Sequence, residues 1–281
     1  MNIGLGLPVT DPDTLLDWAR RADAGPFSTL GLLDRLVYGN PEPLVALAAI
    51  AGATTRIRIQ TEVLLAPLRT TALLAKQVAT LDRLSGGRLV LGLGVGGRAD
   101  DHAAAGTDLR TRGRYLDAQM PVLRRVWAGE PFSEEAGPIG PAPARPGGPE
   151  ILFGAFQPAA LERVARWGDG FLCAAPPSWA GGLIDHVHRT WKDHGRTGAP
   201  RIVAQVNAAL GPQHVIDEAR TAMAAYYGFT DQARHMVAGM LTTPAQIRDA
   251  IARFEDMGSD EVVLYCHGND PDQITRFAEA L

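Results

Sequence analysis

Three glycines and a carboxylate carry the most conspicuous chemical pattern in the chain. Gly92, Gly94 and Gly97 in RLVLGLGVGGRADD, residues 88–101, spell G-x-G-x-x-G at the end of an apolar run, and Asp117 follows 20 residues after the last glycine. This is the letter pattern of a dinucleotide-binding turn, where glycines admit a pyrophosphate and an acidic side chain takes a ribose. Context argues against that reading. A fingerprint turn belongs to the first βαβ unit, whereas three strand-like and helix-like pairs precede this one. Asp117 lies inside RGRYLDAQMPVLRRVWAG, a helical pattern, and not at the end of a following strand. Gly92 and Gly94 fall within the strand itself, where glycine marks a bend or a close backbone approach. Two readings remain: small residues packing a tight interior, which suits Gly92, and a backbone N–H cradle for an anion in the loop GVGGR. Gly94, Gly96 and Gly97 are the candidates for the cradle. Arg98, the next residue, either meets a phosphate or is solvated at the surface.

Other reactive side chains are scattered. His267 follows an apolar run in YCHGND, where an imidazole can act as acid or base near neutral pH, or sit in solvent as a loop histidine. His186 and His188 are two apart, so they diverge on a helix, and no third ligand stands at a suggestive spacing; no metal site is expected. Cys173 and Cys266 lie near the ends of strand-like runs and read as reduced, buried thiols. Cys266 has no His or Asp partner in sequence to make it a nucleophile. Tyr226, Tyr227 and Phe229 either roof an apolar substrate pocket or pack in the core.

Short runs rich in Ile, Val and Leu alternate with longer runs at three-to-four spacing. The strand-like runs are 2–7, 28–34, 56–65, 88–94, 150–155, 169–174, 201–210 and 260–268. Each is followed by at least one helical pattern. Asp11 suits an N-cap with Pro12 at the first helical position, Thr243 and Gln246 form a capping-box start, and Asp270 caps the last helix before Pro271. The helix over 42–54 is apolar almost all round, which fits a subunit interface or packing between a barrel and its loops. A helix over 70–84 ends at SGG, a C-terminal glycine signal. Another spans about 109–128, and a long helical region covers about 213–239. Residues 129–149, GEPFSEEAGPIGPAPARPGGP, are crowded with Pro and Gly and read as a surface excursion. Strict alternation over 281 residues predicts one TIM-type (β/α)₈ barrel domain, 1–281, with 129–149 as an insertion after the fourth βα unit. The alternative is a doubly wound open sheet, which does not need its last strand to pair with its first.

The net charge of −4 with mixed signs speaks against a nucleic-acid groove. Met1 leads directly into NIGLGLP with no basic n-region or cleavage site, and no apolar run reaches the roughly 18 residues that span a bilayer. A cytoplasmic protein with no membrane partner is expected.

Two stretches carry a family resemblance. TTRIRIQTEVLLAPLRTTALLAKQVATLDRLSGGRLVLGLGVGGRADDHAAAGTD, 54–108, resembles the bacterial luciferase-like superfamily of flavin- or deazaflavin-dependent oxidoreductases, with LDRLSGGR before the Gly-rich strand as its most specific block. PAALERVARWGDGF, 158–171, is similar to the family's phosphate-side segment, and the likeness runs on to the closing DPDQITRFAEAL. The resemblance implies a barrel, often dimeric, that takes FMN or the deazaflavin coenzyme F-420 at the C-terminal ends of its strands. It implies a non-prolyl cis peptide at Glu62–Val63, behind the flavin ring. Glu62 departs from the small residue usual there; its carboxylate would crowd the ring, contact the ring's polar edge, or point outward. The cofactor contacts implied are Gly6, Glu62, Val63, Gly94, Gly96, Gly97, Gly154, Ala155 and Phe156. In FGAFQPAAL, 153–161, a strand leads to a helix N-terminus that suits an anion. Phe156 and Gln157 replace the usual Gly and Ser there, so backbone donors survive while hydroxyl contacts are lost. After the second strand the family often shows Asp-His; here Asp34-Arg35 stands, keeping Asp34 as a site residue. Arg35 would bind an anionic substrate or the ring's carbonyl edge, or pair with Asp34 or Glu42. Asp34, Arg35 and His267 form the catalytic candidates.

The expected function is mono-oxygenation of a small organic substrate with reduced FMN supplied by a separate flavin reductase. The alternatives are hydride transfer with coenzyme F-420 and a cofactor-free barrel with a binding role, which Glu62, Phe156 and Gln157 keep open. A homodimer is expected.

Overall fold

Eight buried apolar runs must each find neighbours on both edges, and closing on themselves is the solution that leaves no edge. A computed structural model describes residues 1–7, 11–231 and 233–281. Its strands are β1 (Asn2–Leu7), β2 (Thr29–Leu32), β3 (Arg58–Thr61), β4 (Leu64–Leu65), β5 (Leu89–Gly94), β6 (Glu150–Gly154), β7 (Gly170–Cys173), β8 (Arg201–Ala208) and β9 (Glu261–Cys266). All pairs are parallel, in the order β3-β2-β1-β9-β8-β7-β6-β5-β4, and β3 also pairs with β5. That last pairing closes an eight-stranded barrel, with β4 continuing β3 after a break. The pairing of β1 with β9, Gly4 opposite Val263 and Gly6 opposite Tyr265, excludes the open sheet.

The described helices are α1 (Leu15–Ala24), α2 (Pro43–Ala53), α3 (Thr71–Leu84), α4 (Ala99–Ala104), α5 (Arg112–Trp127), α6 (Pro158–Trp167), α7 (Pro177–Asp193), α8 (Gln213–Tyr227), α9 (Ala233–Ala238), α10 (Pro244–Asp256) and α11 (Gln273–Ala280). The long helical region expected over 213–239 divides into α8 and α9, and its Gln232, like Pro8 after β1, lies outside the described residues. Asp11 accepts from the Asp13 N–H in front of Pro12, and the Thr243–Gln246 capping box is complete. The last helix starts later than its Asp-Pro signal: Asp272 is the N-cap, while Asp270 accepts from the Asp272 N–H and pairs with Arg276 at 2.6 Å. Residues 129–149 form no helix or strand, yet they are pinned: Asp82 Oδ2 accepts from the Ala144 N–H at 2.7 Å and Lys76 Nζ donates to Gly140 O at 2.8 Å.

Period-two alternation divides each strand between two environments. One set of side chains meets the helices and forms the large core, from Leu5 and Leu30 to Phe254 and Phe277. The other set fills the barrel. Its lowest layer is an ionic network of Arg58, Glu150, Arg201 and Glu261, with Ser28 Oγ donating to Glu261 at 2.5 Å. Val90, Leu152, Leu172, Val203 and Val263 form an apolar layer, with Val63 packed against it. A salt-bridged base and an apolar middle leave the C-terminal mouth for chemistry.

Candidate active site

At the mouth, glycines hold the wall open and larger residues lean into the space. A Cβ on Gly6 would overlap the Tyr265 ring, one on Gly31 would overlap the Glu62 carboxyl, and one on Gly94 would overlap Val63. Val63 also lies against Gly154. Gly6, Glu62, Val63, Gly94 and Gly154 therefore converge on one region. The Glu62–Val63 peptide is cis, in the break between β3 and β4. Glu62 points inward; the residue is half-buried, with its carboxyl end shut away from solvent, and Gln60 Nε2 donates to its Oε1 at 2.9 Å. Burial pushes its carboxyl up to about 8, helped by the Glu261 charge and opposed by the Gln60 bond, so it holds its proton at neutral pH. Four buried polar atoms in this part of the barrel, Thr29 Oγ1, Gln60 Oε1, Glu62 Oε2 and the Tyr265 hydroxyl, have no hydrogen-bond partner among the described residues, and the last two lie at the mouth.

Asp34 sits directly behind the break. Its Oδ2 accepts from the Leu65 N–H at 2.8 Å and from Arg69 at 2.6 Å, and Arg69 also reaches Glu42 at 2.8 Å. Burial raises the Asp34 carboxyl despite the opposing Arg69 charge. This pairing fixes the start of β4. Arg35 turns the other way. Its Nε donates to Asp101 at 2.5 Å and its Nη2 to Asp100 at 3.0 Å; neither Asp34 nor Glu42 is its partner. The Asp101 carboxylate also accepts from the Leu36 and Val37 N–H groups, tying the loop after β2 to α4.

The glycine loop is positioned by a histidine that sequence reasoning passed over. His102 is buried, bonds Thr107 through Nδ1 at 2.8 Å and Val95 O through Nε2 at 3.2 Å. Gly96, at φ 70°, turns under it in a conformation that only glycine adopts without strain. The N–H groups of Gly96 and Gly97 meet no acceptor among the described residues. Across the mouth, Gly154 and Ala155 lead into α6, which has no side-chain cap; Pro158 has no N–H and the Ala160 N–H donates to Gln157 O, so the Ala159 N–H is the one open to an anion. Phe156 is exposed and packs on Trp179 with ring centroids 5.8 Å apart. Asp117 faces elsewhere, in a bidentate pair with Arg163 at 2.8 and 2.9 Å.

Aromatic rings roof the mouth. Tyr226 stands edge-on to Tyr38 at 5.5 Å and to Tyr227 at 4.8 Å, and lies 6.1 Å from His267. Arg98 donates to Tyr226 O and stacks over Phe229 at 3.6 Å, so it latches this roof to the glycine loop. His267 is buried, with Nε2 3.0 Å from Asn207 Oδ1, and burial lowers its pKa to about 4. An N–H on Nε2 directed at Asn207 leaves Nδ1 as the acceptor. A cavity of about 450 Å³ opens beside it, lined by Leu33, Tyr38, Ala222, Tyr226 and His267, with Glu218 at its edge. Cys173 and Cys266 are buried and unpaired, and burial raises both thiols. Among the described residues no group of three or more His, Cys, Asp or Glu is placed to hold a metal, and no helix is long and apolar enough to cross a membrane.

The model of the luciferase-like monooxygenase family matches residues 3–276. The chain belongs to that family. Its members work with FMN or with coenzyme F-420. The uncharacterized protein Rv0940c of Mycobacterium tuberculosis is 29% identical over 219 residues, covering 67% of this chain and 75% of that one. The F420-dependent glucose-6-phosphate dehydrogenase of Kineococcus radiotolerans is 29% identical over 180 residues, covering 58% of this chain and 53% of that one. The monooxygenase RslO1 from Streptomyces bottropensis shares the fold, with a TM-score of 0.79 at 22% identity over 100% of this chain and 98% of that one. The mouth fits a cofactor of the family's kind. It offers unpartnered buried hydrogen-bonding atoms on Glu62 and Tyr265, and open backbone N–H groups at Gly96, Gly97 and Ala159.

Proposed function

We propose that this luciferase-like oxidoreductase binds reduced FMN as a diffusing co-substrate and mono-oxygenates a small organic molecule. The observation that carries the reading is a largely apolar cavity of about 450 Å³, partly open to solvent and lined by Tyr38 and Tyr226, beside a His267 that stays uncharged at neutral pH. The aromatic side chains limit the water beside the reacting atoms, which favours oxygen chemistry. When bound, reduced FMN supplies two electrons, so that one oxygen atom of O₂ enters the substrate and the other leaves as water. The protein's part is binding and orientation. Backbone N–H groups at Gly96, Gly97 and the start of α6 take the phosphate, with Ala155 and Phe156 shaping that turn. Gly6 makes room for Tyr265, and Gly94 and Gly154 make room for Val63, so that Tyr265 and Val63 form the wall on which the ring lies. Asp34 holds β4 in place behind it through Leu65 and Arg69. Arg35, fixed by Asp100 and Asp101, holds the loop that carries Tyr38, while His267 Nδ1 is free to accept a hydrogen bond from the substrate.

Phe156 and Gln157 give the phosphate no hydroxyl, which suits a flavin that comes and goes from a separate cytoplasmic reductase. Exposed Val45 on α2 and Leu73 on the adjacent α3 are the surface on which a homodimer would form. The second reading, hydride transfer with coenzyme F-420, is favoured by the name of the Kineococcus relative. Titration with FMN and with F-420, each oxidised and reduced, separates the readings. Oxygen uptake with reduced FMN supports mono-oxygenation. Turnover with F-420 and none with FMN overturns it, and binding of neither leaves a barrel with a binding role.

A further inference from the structure

Inward positions on four adjacent strands lie in one row. Gln60 of β3 pairs in register with Gly31 of β2, Gly31 with Gly6 of β1, and Gly6 with Tyr265 of β9. The two central members are glycines, so the row has a gap in its middle. From one side the Glu62 carboxyl enters over Gly31; from the other the Tyr265 ring enters over Gly6. Neighbouring parallel strands are about 4.8 Å apart, so these two groups occupy adjacent places on the floor of the mouth. Tyr265 is buried and Glu62 half-buried, and each ends in a buried atom with no hydrogen-bond partner among the described residues. A buried polar atom left unpaired destabilises the fold, so two of them side by side call for a shared partner.

We infer that Glu62 and Tyr265 form a pair of neutral hydrogen-bond donors that grips the electron-rich edge of the cofactor ring and makes the site select its reduced, more negative form. The inference rests on the proposed use of FMN and names two specificity-determining residues of that site; Tyr265 was not among the sequence candidates. Both groups keep their protons at neutral pH. Burial raises the Tyr265 hydroxyl well above its ordinary range, and the Glu62 charge would raise it further. The surroundings keep them so. Glu261 of β9 faces Glu62 from below with its charge paired to Arg201 of β8, β1 and β2 present glycines and Thr29 but no titratable group, and Tyr38, Tyr226, Tyr227 and the uncharged His267, 5.3 Å away, face Tyr265. No cationic side chain reaches the pair, since Arg35 and Arg98 are engaged elsewhere. Donation of O–H groups to developing or resident negative charge is the strongest interaction such a site can offer.

The test measures dissociation constants for oxidised and reduced FMN, anaerobically, by quenching of flavin fluorescence and of tryptophan emission. The proteins are the wild type, Glu62→Met, Glu62→Gln and Tyr265→Phe, each checked for native circular dichroism. The wild type is expected to bind reduced FMN more tightly than oxidised FMN at pH 7. Glu62→Met and Tyr265→Phe each lower that preference about tenfold, the effect of one lost hydrogen bond to a charged group. Glu62→Gln retains a donor and keeps the preference. In the wild type the preference falls as pH rises through about 8, where Glu62 ionises, and in Glu62→Gln it does not. A preference unchanged in both Met and Phe variants, with binding intact, overturns the inference and leaves the FMN reading standing. No binding of either form by the wild type overturns both.

Discussion

Replacing Glu62 by glutamine should stabilise the protein by an amount set by pH. Burial moves this carboxyl from its ordinary 4.5 to about 8. The native state therefore keeps a proton that the unfolded chain releases. Below pH 4.5 both states are protonated and the site has no effect on stability. Between 4.5 and 8 the native state loses about 1.4 kcal/mol for each pH unit, because only the unfolded state gains from ionising. Above about 8 both states ionise and the loss levels off at about 5 kcal/mol. Glutamine has nearly the same shape, can accept from Gln60 as Glu62 Oε1 does, and never ionises. The expected gain is close to zero at pH 4, about 3 kcal/mol at pH 7 and about 5 kcal/mol at pH 9. Urea unfolding of both proteins from pH 4 to 9, followed by tryptophan fluorescence, measures it directly. A difference that does not vary with pH, or a glutamine variant less stable than the wild type at pH 8, would refute the reasoning, since it would mean that the carboxylate is already solvated or paired.

Other expectations are equally open to measurement. Gly92→Ala puts a Cβ against the Thr61 carbonyl oxygen and should destabilise by about 3 kcal/mol, whereas Gly97→Ala meets no atom and should change urea stability by less than about 0.5 kcal/mol. Equal effects would mean that the glycine loop is packed differently. Asp101→Ala strips Arg35 of its buried partner and two backbone N–H groups of their acceptor; a loss of about 3–5 kcal/mol is expected, and one below about 1 kcal/mol would show Arg35 to be solvated. Asp117→Asn breaks the Arg163 pair and should lower stability by about 1 kcal/mol while NAD binding, tested by calorimetry, is undetectable before and after. NAD binding lost on that substitution would restore the dinucleotide reading.

The barrel was legible because its signals are local. Each strand is a short apolar run bounded by glycine, proline or a cap, and the count of eight, with a helix after each, admits few closed arrangements. Pro12 after Asp11 and Gln246 after Thr243 set helix starts within one turn, which is why they were readable. Asp270 misled because the same Asp-Pro letters also make a turn before the true cap. Arg35 was readable as a charge seeking a partner, but not which one: Asp100 and Asp101 are 65 and 66 residues away. His102 and Asn207 gave no signal, as a polar residue in a helix or strand looks solvated until the fold buries it.

The sequence by itself determined the barrel and the family, because periodicity, caps and the LDRLSGGR block are properties of contiguous residues. It also showed that the GLGVGG letters sit too late in the chain to be a dinucleotide turn. Only the tertiary structure decided what Glu62 does. Its carboxyl could have crowded the ring, met the ring's edge or faced solvent; it turns into the barrel because Gly31 on the next strand leaves room for it. Tyr265 enters over Gly6 for the same reason. Space vacated by a glycine on one strand and filled from another is set by strand register across the barrel, and register is a property of the closed sheet, not of any run of letters.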